Sequence, residues 1–198
     1  MTENFLVETD TYLKAGIHIG TKFKTKYMDS FIYKIRSDGL SVLNLQKIDK
    51  RINILAKFLS NYESEEILVV SRRENGWKPV KLFGKVTGCK VFAGRYAPGL
   101  LTNKNLRDHT NFKLIFVTDS WPDKNIVKDS LIVGIPVVAL CDSNNQPNNL
   151  DLIIPCNNKG KKSLGLVFYI LAREFMRNKG LITKIKDFDY SIEDFTEE

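Results

Sequence analysis

The sequence predicts a single α/β domain in three layers, built around a mostly parallel sheet. Short, fully apolar segments of strand length, such as residues 67–70 and 114–117, alternate along the chain with segments of helical periodicity. Strands that are apolar on both faces are typical of a parallel sheet covered by helices on both sides. The length of 198 residues suits one domain with a sizeable core. We assign residues 1–186 to the domain and residues 187–198 to a tail.

The N-terminal third predicts a hairpin between two helices. Apolar runs at 31–35 and 40–43 flank the turn dipeptide Asp38-Gly39, a pattern typical of an antiparallel hairpin. A short helix is expected before it, over residues 1–16. After it, residues 46–62 repeat apolar side chains every three to four positions, which predicts a longer helix.

The rest of the chain predicts alternating strands and helices. The strands are expected at 67–70, 90–92, 114–117, 136–140 and 152–154, and the helices at 78–87, 122–132 and 161–179. Apolar runs in these segments are shorter than the ~20 residues of a membrane-spanning helix, so no membrane association is expected. The N-terminus lacks the pattern of a signal peptide.

The net charge of +7 is unevenly placed. Residues 187–198 contain six acidic side chains and no Lys or Arg, which leaves 30 basic against 17 acidic side chains in residues 1–186. A body this basic favours polyanionic partners, nucleic acid among them, although a merely solubilising surface is the alternative. Aromatic residues interleave with the acids of the tail, so it either docks in a basic or apolar groove or remains a solvated end.

The three cysteines, Cys89, Cys141 and Cys156, lack metal-site spacing. Two of them lie in apolar, strand-like runs, and their number is odd. Buried, reduced thiols in a cytoplasmic protein are the simplest interpretation.

Motifs of cofactor binding and covalent catalysis are missing from the sequence. It contains neither GxGxxG after a predicted strand nor GxSxG, and the P-loop-like string at 160–163 has Pro155 where a phosphate-binding glycine is needed. His18 lies in a glycine-flanked turn, where a hydrogen-bonded structural ring is favoured over a role on a substrate. Asp119 and Asp123 could hold a metal, but capping of the helix near 122 is favoured. We therefore predict no cofactor, no metal and no small-molecule substrate.

Basic residues concentrate in predicted loops and at helix ends. Lys22, Lys24 and Lys26 alternate with Thr21 and aromatic neighbours in an extended arm, and Arg72 and Arg73 follow the strand at 67–70. Arg95 stands beside Tyr96 in a turn-rich loop, and Lys159, Lys161 and Lys162 open the last helix, whose free amides would add to a phosphate site. Guanidinium groups and lysines suit RNA phosphates, and aromatic rings stack on unpaired bases.

Six strings of the sequence resemble a known family in the right order, from about residue 6 to residue 180. They are Ala15-Gly16-Ile17-His18-Ile19-Gly20-Thr21, Ile32-Tyr33 with Ser37-Asp38-Gly39, Gly94-Arg95-Tyr96-Ala97-Pro98-Gly99 with Leu101-Thr102-Asn103, the run 134–142, the run 151–160, and Leu171-Ala172-Arg173-Glu174. The chain resembles the universal small-subunit ribosomal protein number two family, in its archaeal and eukaryotic form, the laminin-receptor-related SA proteins.

The resemblance implies a Rossmann-like (flavodoxin-like) sandwich with an N-terminal hairpin and without cofactor or enzymatic activity. It implies a structural protein of the small ribosomal subunit that binds small-subunit rRNA and neighbouring ribosomal proteins, near the head–body junction and the mRNA exit region, and so supports subunit assembly and translation. The family's Asp-Pro-Arg-Ala-Asp block reads Asp-Ser-Trp-Pro-Asp at 119–123, so we assign no RNA contact there.

Our leading hypothesis is therefore a ribosomal RNA-binding protein of the cytoplasm. The expected RNA-facing residues are Lys14, His18, Thr21, Lys22, Lys24, Lys26, Arg36, Arg72, Arg73, Arg95, Thr102, Asn103, Lys159, Lys161 and Lys162. The expected partner-facing residues are Leu166, Tyr169, Arg173 and Arg177. The alternatives are an α/β enzyme that uses the strand ends around Ser71 and Asp119, and a free RNA-binding regulator. A deep pocket at the strand ends would favour the enzyme, and a shallow arginine-rich surface would favour RNA.

Overall fold

The computed structural model describes residues 5–103, 105, 111–183 and 187–196. Within them the helices are α1 (Thr9–Ala15), α2 (Leu45–Ser60), α3 (Trp77–Thr87), α4 (Lys124–Val133), α5 (Lys161–Asn178) and α6 (Ile192–Thr196). The strands are β1 (Ile32–Ile35), β2 (Ser41–Leu43), β3 (Ile67–Ser71), β4 (Lys90–Ala93), β5 (Leu114–Val117), β6 (Val137–Cys141) and β7 (Leu152–Pro155). Every strand and helix expected between residues 31 and 179 is present, with ends shifted by at most two residues. Of the helix expected over 1–16, the structure shows Thr9–Ala15; residues 1–4 lie outside the described part of the chain.

The central sheet is fully parallel and has the strand order β4-β3-β5-β6-β7. Counted along the chain from β3, this is the 2-1-3-4-5 order of the flavodoxin-like folds. Strands β1 and β2 form a separate antiparallel hairpin that pairs Ile35 with Ser41. The predicted three-layer α/β fold with an N-terminal hairpin is confirmed.

The two faces of the sheet are covered differently. Alternate strand residues point to opposite faces, so Val69 and Phe116 join the larger core, with α2, α3 and α5, while Val70 and Val117 join the smaller one. On the smaller face, α4 and buried loop side chains such as Met28 provide the cover. Burial on both faces explains why these strands read as uninterrupted apolar runs.

The acidic tail docks on α5 instead of remaining solvated. Phe195 of α6 is fully buried, and its ring centroid lies 5.9 Å from that of Tyr169 in an edge-on arrangement. Phe188 packs against the same tyrosine. Gly165 permits this approach, because a Cβ there would lie 2.2 Å from the side chain of Thr196. Residues 197–198 of the predicted tail lie outside the described part of the chain.

The three cysteines are buried free thiols, as predicted. Burial raises the pKa of the Cys89 thiol to about 11, so this thiol is protonated and unreactive at neutral pH. In the described part of the chain, every helix is too short or too polar to cross a membrane.

Candidate RNA interface at the carboxyl edge of the sheet

The parallel sheet collects most of the predicted basic residues at one edge. The carboxyl ends of parallel strands lie side by side, and the loops that follow β3, β4 and β7 carry Arg72, Arg73, Arg95 and Lys159. The strand order reverses between β3 and β5. In doubly wound folds the crevice at such a reversal is where ligands bind.

That crevice is filled by an ion pair and its hydrogen bonds. Arg73 Nε donates to Asp119 Oδ2 at 2.6 Å, and the Asp119 side chain is only 1 % exposed. Asn145 Nδ2 donates to the other carboxylate oxygen at 2.8 Å. A carboxylate held this way is satisfied within the fold. The carboxylate at the switch point is therefore already bonded within the fold and is not free to bind the ligand that the enzyme alternative requires.

A second ion pair closes the edge between β6 and β7. Lys159 Nζ lies 2.8 Å from Asp142 Oδ2 and donates to Asn144 Oδ1 at 3.0 Å. Asn75 Nδ2 donates to the Lys159 carbonyl at 2.8 Å and so links the loops after β3 and β7. Arg73 and Lys159 thus each face a buried carboxylate, which neutralises two of the cations expected to contact RNA.

Arg72 and Asp123 form a third contact at this edge. The Arg72 amide donates to Asp123 Oδ2 at 3.2 Å, and its guanidinium donates to the Pro122 carbonyl at 3.1 Å. Burial raises the pKa of the Asp123 carboxyl to about 6, against the effect of the bond from Arg72. The predicted capping of α4 by Asp119 and Asp123 is wrong, because the helix start receives no side-chain bond and both carboxylates are engaged by arginines. Among the described residues no group of three metal-ligating side chains occurs.

The predicted extended arm lies across the carboxyl edge; we call residues 20–28 the basic arm. Its threonines are the anchors. The Thr21 amide donates to Ser143 Oγ at 2.9 Å, and Thr25 Oγ1 donates to the Asn145 carbonyl at 2.9 Å. The buried Met28 fixes its far end.

The remaining side chains of the basic arm point to solvent. Lys22, Lys24 and Lys26 are exposed, and Phe23 and Tyr27 are 80 % and 64 % exposed. Lys24 pairs with Asp29 at 2.8 Å between two half-exposed groups, a contact that contributes little free energy. The arm therefore presents lysines interleaved with aromatic rings, which suits a nucleic-acid backbone and its bases.

Four further predicted residues flank this surface and are exposed. Arg36 lies in the hairpin turn and pairs with Asp38 at 3.2 Å, while Arg95, Thr102 and Asn103 follow β4. The aromatic neighbour expected beside Arg95 is unavailable for stacking. Tyr96 is 3 % exposed and its hydroxyl donates to Asp129 Oδ2 at 3.0 Å.

The loop that opens α5 is more self-contained than the sequence suggests. The amides of Lys159 and Gly160 each donate to Asn157 Oδ1 at 3.1 Å. These two amides precede the helix and are already bonded, whereas the start of α5 itself receives no side-chain cap. Lys161 is half-buried and Lys162 is exposed, so Lys162 is the most accessible charge at this helix start.

Two predicted residues lie apart from the edge. Lys14 is exposed in the last turn of α1. His18 is half-buried, and its Nδ1 is buried with no hydrogen-bond partner in the described structure. Burial lowers the pKa of its ring. The expected hydrogen-bonded ring is wrong for Nδ1, since it is the main chain of His18 that bonds, its carbonyl accepting from the Leu43 amide at 2.8 Å.

Comparison with known proteins identifies the family. The family model for ribosomal protein S2 matches residues 12–112 and 105–177. The chain belongs to the ribosomal protein S2 family. It is 48 % identical over 188 residues to a small ribosomal subunit protein uS2 of Methanococcus maripaludis, covering 95 % of this chain and 86 % of the relative. It is 43 % identical over 195 residues to the uS2 protein of Thermoplasma acidophilum, covering 98 % of each chain.

A third relative, the uS2 protein of Nanoarchaeum equitans, is 47 % identical over 190 residues, covering 96 % of this chain and 94 % of its own length. All three relatives are archaeal, as the resemblance implied. The family and the relatives are named as ribosomal proteins and not as enzymes. This membership supports the non-enzymatic interpretation over a strand-end enzyme.

The four residues expected to face a partner lie on α5, which this ribosomal protein S2 family member covers with its own chain. Leu166 is fully buried, and Tyr169 packs under Phe188 and Phe195. Arg173 is 3 % exposed, and Nη2 donates to the Leu6 carbonyl at 2.7 Å. Only Arg177 is substantially exposed, and it pairs with Glu174 at 3.1 Å.

Sequence reasoning missed the residues that hold the basic arm. Ser143 and Asn145 belong to the 142–149 loop, which bonds to the arm across more than a hundred residues of sequence. The loop's asparagine-rich composition was the available signal, since buried amides must find partners. Nothing in the sequence indicated that those partners lie near residue 21.

Proposed function

We propose that this chain is a structural constituent of the small ribosomal subunit and binds small-subunit rRNA through the basic arm and the exposed cations around it. The proposal rests on the two kinds of side chain in the basic arm. Its threonines anchor to the 142–149 loop, while its lysines and aromatic rings project to solvent. A segment built only to cover the sheet edge would have no use for side chains arranged in this way.

Within this proposal the expected RNA residues have two roles. The outward groups contact phosphate and sugar, which positions a protein on RNA without reading its sequence. They are Lys14, Lys22, Lys24, Lys26, Arg36, Arg95, Thr102, Asn103, Lys161 and Lys162. Arg73 and Lys159, paired with buried acids, and Thr21, which anchors the arm, shape the surface from below. Arg72 and His18 are partly engaged by the fold.

We place the protein near the head–body junction and the mRNA exit region, beside other ribosomal proteins, where it supports subunit assembly and translation in the cytoplasm. This location rests on family membership together with the one-sided charge. The body of the chain carries 30 basic and 17 acidic side chains up to residue 186. Such an excess suits assembly onto RNA, whose phosphates dominate affinity.

Sedimentation of the tagged, full-length protein through sucrose gradients at low and high salt tests the proposal. We expect co-migration with the small subunit at low salt and release only at high salt, because phosphate contacts weaken as salt rises. A protein that remains at the top of the gradient in both salts would refute stable association with the subunit.

Arg95→Ala gives a finer test. We expect weaker binding to small-subunit rRNA and a salt slope reduced by about 1, since one phosphate contact is lost. Lys57→Ala is the control, because it removes one exposed charge outside the proposed interface. An Arg95→Ala variant with unchanged affinity and unchanged slope would remove Arg95 from the interface.

A further inference from the structure

A groove beside the proposed interface combines an exposed tryptophan, free amides and lysines. It lies between the start of α4 and the 142–149 loop, has a volume of about 400 Å³, and is lined by Ser120, Trp121, Lys124, Val127, Lys128, Asn144, Asn145, Gln146, Asn148 and Asn149. We call it the Trp121 groove. Its volume falls within the range of about 300–1,000 Å³ typical of small-ligand sites.

Trp121 is unusually exposed for a tryptophan. Its side chain is 68 % exposed, whereas most tryptophans are largely buried. The turn around it is fixed from below, because its amide donates to Asp119 Oδ1 at 3.0 Å and Asp119 is held by Arg73. A large aromatic face held by an ordered turn is a stacking platform for a planar partner.

The facing loop supplies side-chain amide groups that form no hydrogen bonds with the described residues. The side chains of Gln146, Asn148 and Asn149 are exposed and bond to none of the described residues. Asn145, by contrast, is buried. Its Nδ2 donates to Asp119, and its Oδ1 accepts from Asn158. Asparagine and glutamine amides pair with the donor and acceptor edges of nucleic-acid bases.

The charge of the groove selects a polyanion. Lys124 and Lys128 lie one turn apart on α4, are exposed, and form no ion pair with the described residues. Among the described residues of the lining, none is acidic. The larger cavity beside α3, about 1050 Å³, includes Asp189 and Asp194 in its lining and offers mixed charge instead.

We infer that the Trp121 groove binds an unpaired nucleotide of RNA, with the base stacked on Trp121, its edge facing the amides of the 142–149 loop, and its phosphate near Lys124 and Lys128. This inference rests on the proposed function and extends it from phosphate contact to recognition of a base. It replaces the expectation from sequence that the 119–123 block makes no RNA contact, because Trp121 of that block is exposed beside Lys124 and Lys128. The same loop holds the basic arm through Ser143 and Asn145, so the groove continues the arm's surface along the carboxyl edge of the sheet.

The test measures binding of an oligoadenylate octamer to the full-length protein carrying Trp77→Phe. Trp121 is then the sole tryptophan, so its fluorescence reports stacking directly. We expect quenching on titration, and an affinity about 5- to 150-fold lower in Trp77→Phe/Trp121→Ala, because stacking on one base contributes ~1–3 kcal/mol. An octamer with abasic sites should bind the parent protein as weakly as oligoadenylate binds the alanine variant.

Two further measurements keep the outcomes separable. Lys124→Ala/Lys128→Ala should reduce the salt slope by about 1 to 2, whereas Lys57→Ala/Lys85→Ala, which removes two exposed lysines elsewhere, should not. If the octamer binds but leaves the Trp121 fluorescence of the parent protein unchanged, and Trp121→Ala leaves the affinity unchanged, the inference is wrong while the proposed function stands. If the parent protein binds neither the octamer nor small-subunit rRNA, both the inference and the proposed function are overturned. A Trp121→Ala variant that binds RNA normally but no longer sediments with subunits would assign the groove to a protein neighbour and refute the inference.

Discussion

The basic arm and the acidic tail attach to the same domain by opposite means. The arm binds through polar groups, with Thr21 and Thr25 bonded to the 142–149 loop, and leaves its aromatic rings in solvent. The tail buries Phe195 and Phe188 against α5. The acids of its described part, Asp187, Asp189, Glu193 and Asp194, are exposed. Composition alone shows aromatic residues mixed with charges in both segments. Which class of side chain faces inward decides whether a segment stabilises the fold or offers a binding surface.

The largest expected effect concerns the tail. Phe195→Ala should lower the free energy of unfolding by about 3 kcal/mol, because a fully buried ring is lost from the contact with α5. Urea unfolding of the full chain measures this, and affinity for small-subunit rRNA should stay unchanged. The control is Glu193→Ala, an exposed residue of the same helix, expected within ~0.5 kcal/mol. Equal stability of Phe195→Ala and the control would mean that the tail is not docked in solution.

The matching change in the arm should affect binding and spare stability. Lys22→Ala/Lys24→Ala/Lys26→Ala should reduce the salt slope of rRNA binding by about 2 to 3, with affinity lowered on the order of tenfold to a hundredfold. Anisotropy titrations with labelled rRNA at several salt concentrations measure both. Lys57→Ala/Lys81→Ala/Lys85→Ala removes the same charge from other exposed positions. An equal loss in both triple variants would make the effect one of net charge and not of the arm.

The carboxyl edge beneath the arm should show a pH-dependent stability. Asp123 has a folded-state pKa of about 6 against an ordinary value of 3.8, so the folded protein binds this proton more tightly than the unfolded chain does. Its contribution therefore favours folding below about pH 4 and is lost as the pH rises through about 6. Asp123→Asn keeps an oxygen to accept from Arg72, and we expect it to be more stable than the wild type by about 1–2 kcal/mol at pH 7.5.

At pH 4.5 that difference should shrink, because the wild-type carboxyl is then largely protonated in the fold. Urea unfolding of both proteins at the two pH values measures it, and taking the difference removes the contribution of every other titrating group. A stability difference that is the same at both pH values would show that Asp123 titrates normally.

The smallest expected effect concerns a single anchor of the arm. Thr25→Val removes the hydroxyl that donates to the Asn145 carbonyl at 2.9 Å and should cost about 1 kcal/mol of stability. Hydrogen exchange at the Thr25 amide, which donates to the Ser143 carbonyl at 3.0 Å, should accelerate as the arm loosens. Thr21→Val should act similarly, because it removes the hydroxyl that lies 2.9 Å from Ser143 Oγ. Unchanged exchange in both variants would show that main-chain bonds alone hold the arm.

Local patterns determined the fold. The apolar runs of β3, β5 and β6 predicted buried parallel strands, and the helical repeat of α2 predicted its length to within two residues. These signals are readable because backbone geometry imposes periods of 2 and 3.6 on neighbouring residues. The basic residues of the arm could also be predicted from the sequence, because they form one continuous stretch of chain.

Only the tertiary structure decided which charges are available. Arg73 and Lys159 look like free cations in sequence, but each meets a buried carboxylate, Asp119 and Asp142, on another loop. Tyr169 and Arg173 look like an unused face of α5 until the terminal segments cover them. Such contacts join residues far apart in the chain, and no local period encodes them. The amino-acid sequence therefore determines the elements and the total charge, while the meeting of loops at one edge of the sheet determines where that charge can bind.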